Sequence, residues 1–440
     1  MIWQHGARLL GLKLWRCNMP KGMILTVGVG KGIEHAIVLS IRNSNPDKVV
    51  FVVTPQSRQN TLKRIEDIAN ELQVSLPPYE LEEMTDENDV EKAYEAVASA
   101  IKKLGEKGIR ASETTIDYTT GSKPMSAGAL FAAIMEGCEK VVYVTGQRDS
   151  ITGRVISRTE RFLTFFPSEL AAKRFYLEAI ALFNSHQFQA AKQLISRFLG
   201  PYELHTTSTI CLTLRVLRDL CDGYEAWDAF DHARALEAFR NLDDKLLDCL
   251  PASKQIFKNR EWVGRIASKL KSNDPGQRLC DELLVDLWAN ALRRLEERRF
   301  VDAVARLYRL TELIAQFRLW HRHGVDTSDV KLSELSSKIS EDVVRKLEGK
   351  KAEKGTLQTD LQADYELLDA LGDPIGEALQ DSRLRDALRR RNNSIGAHGL
   401  EPVSGEHANT LKEAVEPLLT QVLGEWRDLL KQAIFPTLTP

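Results

Sequence analysis

The densest polar constellation of the chain lies near its C-terminus, in DSRLRDALRRRNNSIGAHGLEPV, which carries Arg383, Arg385, Arg389, Arg390, Arg391, Asn392, Asn393 and His398. Between Asp381 and Arg391 five arginines stand against two aspartates, a local charge of +3. Such a patch can contact phosphates. His398 is of a residue type that titrates near neutrality, suited to moving a proton or holding an anion. Two loops nearer the N-terminus also suit an anion. GVGKG, Gly28 to Gly32, and TTGSKPMS, Thr119 to Ser126, each combine glycine, backbone N–H groups and one lysine, Lys31 or Lys123. In the second loop Ser122 can cap a helix and Pro124 can occupy its first turn.

Loops of this kind need strands to carry them, and the sequence supplies the strands. From Met23 to Phe166 short β-branched runs alternate with longer amphipathic stretches, the signature of a βαβ-wound parallel sheet. The predicted strands are Met23–Val27, Lys48–Val53, Tyr79–Met84, Thr114–Thr119 and Lys140–Gly146. Both glycine loops then follow the carboxyl ends of parallel strands, where open α/β sheets bind ligands. Asp149, Ser150 and Gly153 before VISRTERFLTF predict an antiparallel β-hairpin at the sheet edge.

From Pro167 onward helical periodicity takes over and no strand is predicted. FNSHQFQAAKQLI, WDAFDHARALEAF and LEERRFVDAVARLYRL look like loosely similar helical hairpins, each with an aromatic residue, a short polar turn and an alanine-bearing second helix. Leu347–Thr359 is charged and glycine-punctuated, a surface connection. The fold class is therefore an α/β Rossmann-like domain, a parallel sheet with an edge β-hairpin, followed by an all-α region. Its divisions are an extension over 1–22, an α/β domain over 23–166, a helical connector over 167–346 and a terminal helical domain over 347–440.

Composition narrows the function. Hydrophobic residues at 43% and charged residues at 28% describe a globular chain, and no run reaches the roughly 18 apolar residues of a membrane span. The net charge of −2 means that nucleic-acid contact must come from a local patch, so binding to long DNA duplexes is not expected. Cys17, Cys138, Cys211, Cys221, Cys249 and Cys280 form no C-x-x-C pair, which suggests neither zinc nor a disulfide framework and fits a reducing cytoplasm. The glycine loops match neither familiar nucleotide motif. A Walker A loop needs glycine at Leu25 and a hydroxyl residue at Gly32, and a dinucleotide fingerprint needs an acidic residue where Thr54-Pro55-Gln56-Ser57 follow the second strand. His321 and His323 could pair on a metal with Asp326, but a solvated loop is the expectation. Trp288 and Trp320 are read as core or dimer contacts.

TTIDYTTGSKPMSAGALFAAIMEGCEKVVYVTG resembles the CRISPR-associated Rossmann-fold (CARF) sensor domain, whose signature loop reads approximately T-G-G-T-K-x-M. Thr119, Gly121, Ser122, Lys123 and Met125 match that loop in position, while Thr120 replaces a glycine and Ser122 a threonine. The resemblance implies a homodimer in which paired loops bind a cyclic oligoadenylate of four or six units as an allosteric activator, with no cofactor. Gly28, Gly30, Lys31, Thr119, Thr120, Gly121, Ser122, Lys123 and Met125 are the candidate ligand residues. An isologous dimer would meet a symmetric ring with the same amides, hydroxyls and lysines from both sides.

Arg391 and His398, with Asn392 beside the arginine, resemble the R-x(4–6)-H motif of HEPN ribonucleases, here as R-N-N-S-I-G-A-H. The resemblance implies a type III CRISPR ancillary effector that cuts single-stranded RNA without metal. The 2′-hydroxyl of the RNA would be the nucleophile, with Arg391 clamping the phosphate, His398 in acid–base work and Asn392 positioning either partner. Seven positions along a straight helix separate Arg391 and His398 by ~10 Å in rise. Either Gly396 breaks the helix and shortens that distance, or two chains build a composite site, as in the resembled family. Three competing readings stand beside this one: a basic surface helix whose His398 caps its C-terminus, a nucleotide-sensing regulator that cuts nothing, and a sensor that itself cleaves the bound ring.

Overall fold

The computed structural model describes residues 20–439 except 31, 148, 151–155, 157–158, 201–208, 249, 251 and 350–356. Most of the N-terminal extension, Lys31, the tip of the edge hairpin and the middle of the 347–359 connection lie outside the described residues. The chain divides into two compact units, one of residues 1–177 and 194–214, the other of residues 178–193 and 215–440.

The first unit is built on a six-stranded sheet. Its strands are β1 (Gly22–Val27), β2 (Lys48–Val53), β3 (Tyr79–Glu83), β4 (Thr114–Thr120), β5 (Lys140–Thr145) and β6 (Arg161–Phe165), in the order β3-β2-β1-β4-β5-β6. All neighbours are parallel except β5 and β6, which run antiparallel with Val141 opposite Phe165, so the edge pairing expected from the sequence is present. The helices between strands are α1 (Ile33–Ser44), α2 (Pro55–Asn60), α3 (Leu62–Glu71), α4 (Val90–Glu106) and α5 (Lys123–Met135).

Both faces of this sheet are covered, which is why its central strands are apolar at successive positions. Met23, Leu25 and Val27 of β1 pack with Ile37, Ile41 and Ile65 on the α1–α3 side, while Ile24 packs with Val97 and Ala129 on the α4–α5 side. The strand order reverses direction between β1 and β4. In an open α/β sheet that reversal opens a crevice beyond the carboxyl ends of the two strands.

Helices follow: α6 (Pro167–Asn184), α7 (Phe188–Leu199), α8 (Thr209–Asp228), α9 (His232–Arg240), α10 (Asp244–Leu247), α11 (Ser253–Leu270), α12 (Pro275–Arg278), α13 (Asp281–Glu296), α14 (Phe300–His323), α15 (Leu332–Leu335), α16 (Glu341–Glu348), α17 (Leu361–Ala370), α18 (Ser382–Asn392), α19 (Gly405–Leu423) and α20 (Trp426–Ala433). Among the described residues none of these is long and apolar enough to cross a membrane.

The three hairpin-like segments share one turn. His186, Phe230 and Arg298 each adopt a left-handed backbone with φ of 57°, 67° and 58°. In each turn the left-handed residue donates its N–H three residues back, to Phe183, Trp227 and Leu295. The following residue donates five back, to Leu182, Ala226 and Arg294. This is the Schellman closure of a helix end, normally made by glycine. Four residues after Gln187, Asp231 and Arg299 stand Ala191, Ala235 and Ala303, all wholly buried, where only a small side chain admits close packing of the two helices.

The second unit is held by polar groups inside an aromatic core. Asp286 of α13 is fully buried and accepts hydrogen bonds from the indoles of Trp227 (2.9 Å) and Trp262 (3.1 Å) and, on its other oxygen, from His232 Nε2 (2.8 Å). Tyr224, Trp227 and Phe435 lie ring against ring beside it, bringing the C-terminal tail onto α8. The tail is fixed by Asn184, whose side-chain amide donates to the Leu438 carbonyl and accepts from its N–H. Trp288 is buried against Trp426, as a core residue. His321 and His323 are a correction to the sequence reading. They close α14 rather than lie in a loop, with His323 bonded to Asp373 at 2.9 Å and His321 to the Leu279 carbonyl at 2.7 Å.

Asp286→Ala leaves two buried indole N–H groups and one imidazole without an acceptor. It is predicted to lower the stability of the helical unit by about 3–5 kcal/mol. Urea unfolding followed by tryptophan fluorescence checks this, and an unchanged midpoint contradicts it.

Candidate functional site

The candidate site residues fall in two places, a cleft in the first unit and the end of a helix in the second. The cleft opens beyond the carboxyl ends of β1 and β4, has a volume of about 370 Å³ and is lined by Gly28, Gly30, Thr119, Thr120, Gly121, Ser122 and Met125. Thr54 and Glu87, from the ends of β2 and the β3–α4 connection, complete its polar wall. Neither was singled out in the sequence, because each belongs to a segment with no motif. Lys123 is exposed in the first turn of α5 and does not line the cleft; Lys31 lies outside the described residues.

Backbone closeness explains the glycines. A Cβ on Gly28 would stand 2.2 Å from the Thr120 carbonyl oxygen, and one on Gly121 would stand 2.7 Å from Thr26 Oγ1. The two loops therefore touch through main chain, and only glycine permits it. The hydroxyls that flank them are engaged in building the loops. Thr119 Oγ1 accepts from Val144 N at 2.8 Å, Thr120 Oγ1 donates to the Thr26 carbonyl at 2.5 Å, and Ser122 Oγ donates to the Glu87 carbonyl at 2.6 Å. Ser122 also caps α5 by accepting from Met125 N, with Pro124 in the first turn, as the sequence predicts. Asp117 anchors the β4 end from below: it is fully buried, bonded to the Ser40 hydroxyl and the Thr119 N–H, and burial raises its carboxyl above the ordinary range.

The second place is the end of α18. That helix ends at Asn392, four residues before Gly396, and the chain then doubles back. The His398 N–H donates to the Asn392 carbonyl at 3.2 Å, the Gly399 N–H to Ser394 at 3.1 Å and the Glu401 N–H to Asn393 at 3.1 Å. Buried Ser394 locks the corner by donating its hydroxyl to the Arg391 carbonyl at 2.7 Å. The ~10 Å rise of a continuous helix is thus avoided, and Arg391, Asn392 and His398 belong to one folded-back turn. The helix stops before Gly396 is reached, and it is the backbone N–H of His398 that meets the Asn392 carbonyl.

Arg391 is fixed in place. Its guanidinium stands 4.1 Å above the centroid of the Tyr308 ring, its Nη1 donates to Asn392 Oδ1 at 3.1 Å, and its Nε is buried without a hydrogen-bond partner. Tyr308 comes from α14, where sequence reading finds only a helical aromatic. His398 is exposed, flanked by Ile395 at 60% and Leu400 at 88% exposure. His407 at the start of α19 is buried instead and donates from Nε2 to the Ala387 carbonyl at 2.9 Å, which holds α18 against α19. Asp364 of α17 is buried with Oδ1 accepting from the Thr359 hydroxyl, and burial pushes its carboxyl up to about 7. Among the described residues no group of histidine, cysteine and carboxylate side chains is placed to hold a metal.

Two outcomes follow from this geometry. A Cβ on Gly399 would stand 1.8 Å from the Asn393 carbonyl oxygen, whereas one on Gly396 would meet only a Val301 methyl group at 2.6 Å. Gly399→Ala is therefore predicted to cost about 1–3 kcal/mol and Gly396→Ala less, since a side chain yields where backbone does not; urea unfolding of the two variants orders them. Asp364 keeps its proton in the folded state up to about pH 7, while in the unfolded chain it releases it near pH 4. Stability therefore falls as pH rises from about 4 to about 7. Asp364→Asn is predicted to flatten that decline in urea midpoints across this range, and an unchanged slope contradicts it.

The sequence matches the Csm6 6H domain over residues 172–270 and the Csm6 HEPN domain over residues 272–421, together more than half of the chain. No curated protein matches it. Among solved structures, Enterococcus italicus Csm6 bound to cyclic hexa-2′-fluoro-hexa-dAMP is similar in fold, at a TM-score of 0.59 and 12% identity, over 94% of this chain and 100% of the other. A Rossmann-type sheet, then the 6H domain, then a HEPN domain containing Arg391, Asn392 and His398: by this succession the chain belongs to the Csm6 family of CARF–HEPN CRISPR effectors.

Proposed function

We propose that this effector is an endoribonuclease that cuts single-stranded RNA, activated by a cyclic oligoadenylate in the cleft between Gly28 and Met125. The observation that carries the reading is the folded-back turn after α18, which gathers an arginine, an asparagine and an exposed histidine within the matched HEPN domain. The ligand class is supported by the cyclic hexanucleotide analogue named for the similar Enterococcus italicus protein, and by a cleft at a sheet crossover whose loops approach through glycine.

In this scheme the 2′-oxygen of the RNA attacks the adjacent phosphorus and the 5′-oxygen leaves, giving a 2′,3′-cyclic phosphate and a 5′-hydroxyl end. One proton leaves the 2′-hydroxyl and one reaches the 5′-oxygen, so the protein supplies proton transfer and charge stabilisation, and the chemistry calls for no metal. Arg391, held on Tyr308 and by Asn392, meets the charge that develops on the phosphorane oxygens. His398 serves proton transfer. An unpaired strand is the substrate because in-line attack needs backbone freedom that an A-form duplex restricts. The exposed Ile395 and Leu400 beside His398 suit burial against a second copy, so the working form is a homodimer with a composite site. The ring would act by binding the cutting-competent arrangement more tightly than the resting one.

Cleavage of a fluorogenic single-stranded RNA in EDTA, with and without cyclic tetra- and hexa-adenylate, tests this. Cutting is expected only with one of the rings and is expected to fall at least about 100-fold in His398→Ala, as for loss of a proton-transfer group. Ligand binding without cutting under any of these conditions would instead make the chain a sensing regulator.

A further inference from the structure

A cleft of about 360 Å³ runs beside the candidate catalytic turn, and nothing in the scheme above uses it. One wall is a single stripe of α18, Arg385, Leu388, Arg389 and Asn392, spaced three, four and seven positions from the first. The facing wall is Tyr308 with Asp360 and Gln362 at the start of α17, over a floor of leucine side chains.

Each part has a chemistry. Arg385 and Arg389 are exposed guanidiniums, unlike Arg383, which is tied to Asp381 at 3.1 Å. Arg389, in the last turn of α18, complements the helix dipole, but Arg385 lies in the first turn, and a dipole asks neither of them to line a concave surface. Gln362 donates its amide to Glu366 at 2.9 Å, which leaves its carbonyl oxygen as an acceptor. Tyr308 offers aromatic surface and carries Arg391, so the cleft and the catalytic arginine share one ring. Asn392 belongs to both the cleft and the turn. A cavity of this size with an apolar floor, two cations at one side and an acceptor at the other matches one nucleotide.

We propose that this cleft holds the RNA nucleotide next to the scissile bond, with Arg385 and Arg389 on its phosphate and Gln362 accepting from an exocyclic amine of its base. It would favour adenine over uracil, whose ring carries no amine. This rests on the ribonuclease reading, and it makes Arg385, Arg389 and Gln362 binding residues with no part in proton transfer.

The test is binding rather than cutting. Fluorescence anisotropy would measure the full chain with fluorescein-labelled, fully 2′-O-methylated hexa-adenylate and hexa-uridylate strands, which cannot be cleaved, over a range of salt. The Arg385→Ala/Arg389→Ala double variant is expected to bind at least about tenfold more weakly, and its slope of log affinity against log salt is expected to be shallower by about 1.4, two lost phosphate contacts on a single strand. Gln362→Leu is expected to narrow the preference for the adenine strand without changing the salt slope. All replaced side chains lie at the surface, and thermal midpoints would verify folding. Equal affinity and slope for wild type and double variant, or no binding by the wild type, overturns the inference; equal wild-type affinity for the two strands overturns the role of Gln362. Failure of the ribonuclease reading looks different: arginine-dependent binding persists while activated wild type leaves the unmethylated strand intact.

Discussion

Everything proposed for the helical unit depends on where α18 stops. A helix continuing past Asn392 would spread the arginine and histidine along its length, and the carbonyls of its last turn would still need donors. The chain after Asn392 meets both difficulties: the N–H groups of Asn393, Ser394 and His398 return to the Arg389, Arg391 and Asn392 carbonyls, and those of Gly399 and Glu401 close the turn on Ser394 and Asn393. The return is so tight that position 399 admits no Cβ. The candidate turn is thus a helix terminus whose backbone bonds bring residue 398 back to residue 392.

That turn is positioned by buried polar groups at each level of the scaffold. His407 fixes α18 on α19, Arg391 rests on Tyr308 of α14, and α14 is joined to α13 through the turn at Arg298. At the same end, Arg293 and Arg294 of α13 pair with Asp228 of α8, and Glu297 bonds to His186, so the turns of three hairpins meet in one ionic cluster. Buried charges of this kind add little net stability over an apolar core, but removing one partner is costly, so they fix which helices meet. In the sensor unit the equivalent constraint is main-chain contact between the loops at Gly28 and Thr120.

How much of this was legible follows from the physics of each signal. The sheet was readable almost strand by strand, because helices on both faces force continuous apolar runs such as Val49–Val53, and boundaries differed by one residue, as at Gly22, Glu83 and Thr120. The Ser122 cap and Pro124 were readable because capping is local. The repeated hairpin turn was only half readable: its left-handed position is filled by His186, Phe230 and Arg298 rather than glycine, so the usual marker is absent. Arg391, Asn392 and His398 could be picked out by type and spacing, but the turn that joins them could not, since it depends on backbone bonds. Tyr308, Asp286 and Gln362 were invisible, because tertiary packing alone separates them from other helical residues.

Occupancy of the cleft in the first unit is proposed to govern cutting at the turn after α18. Gly30 lines that cleft, lies outside the left-handed region, and a Cβ there would meet only a methyl group of Ile33 at 3.3 Å. A large side chain at this position is therefore compatible with the fold and fills the cleft. The direct measurement is ribonuclease activity of Gly30→Phe over a titration of cyclic oligoadenylate, with the thermal midpoint as a check on folding. Stimulation is expected to be lost while the thermal midpoint stays at the wild-type value; full stimulation at wild-type ligand concentrations would contradict this.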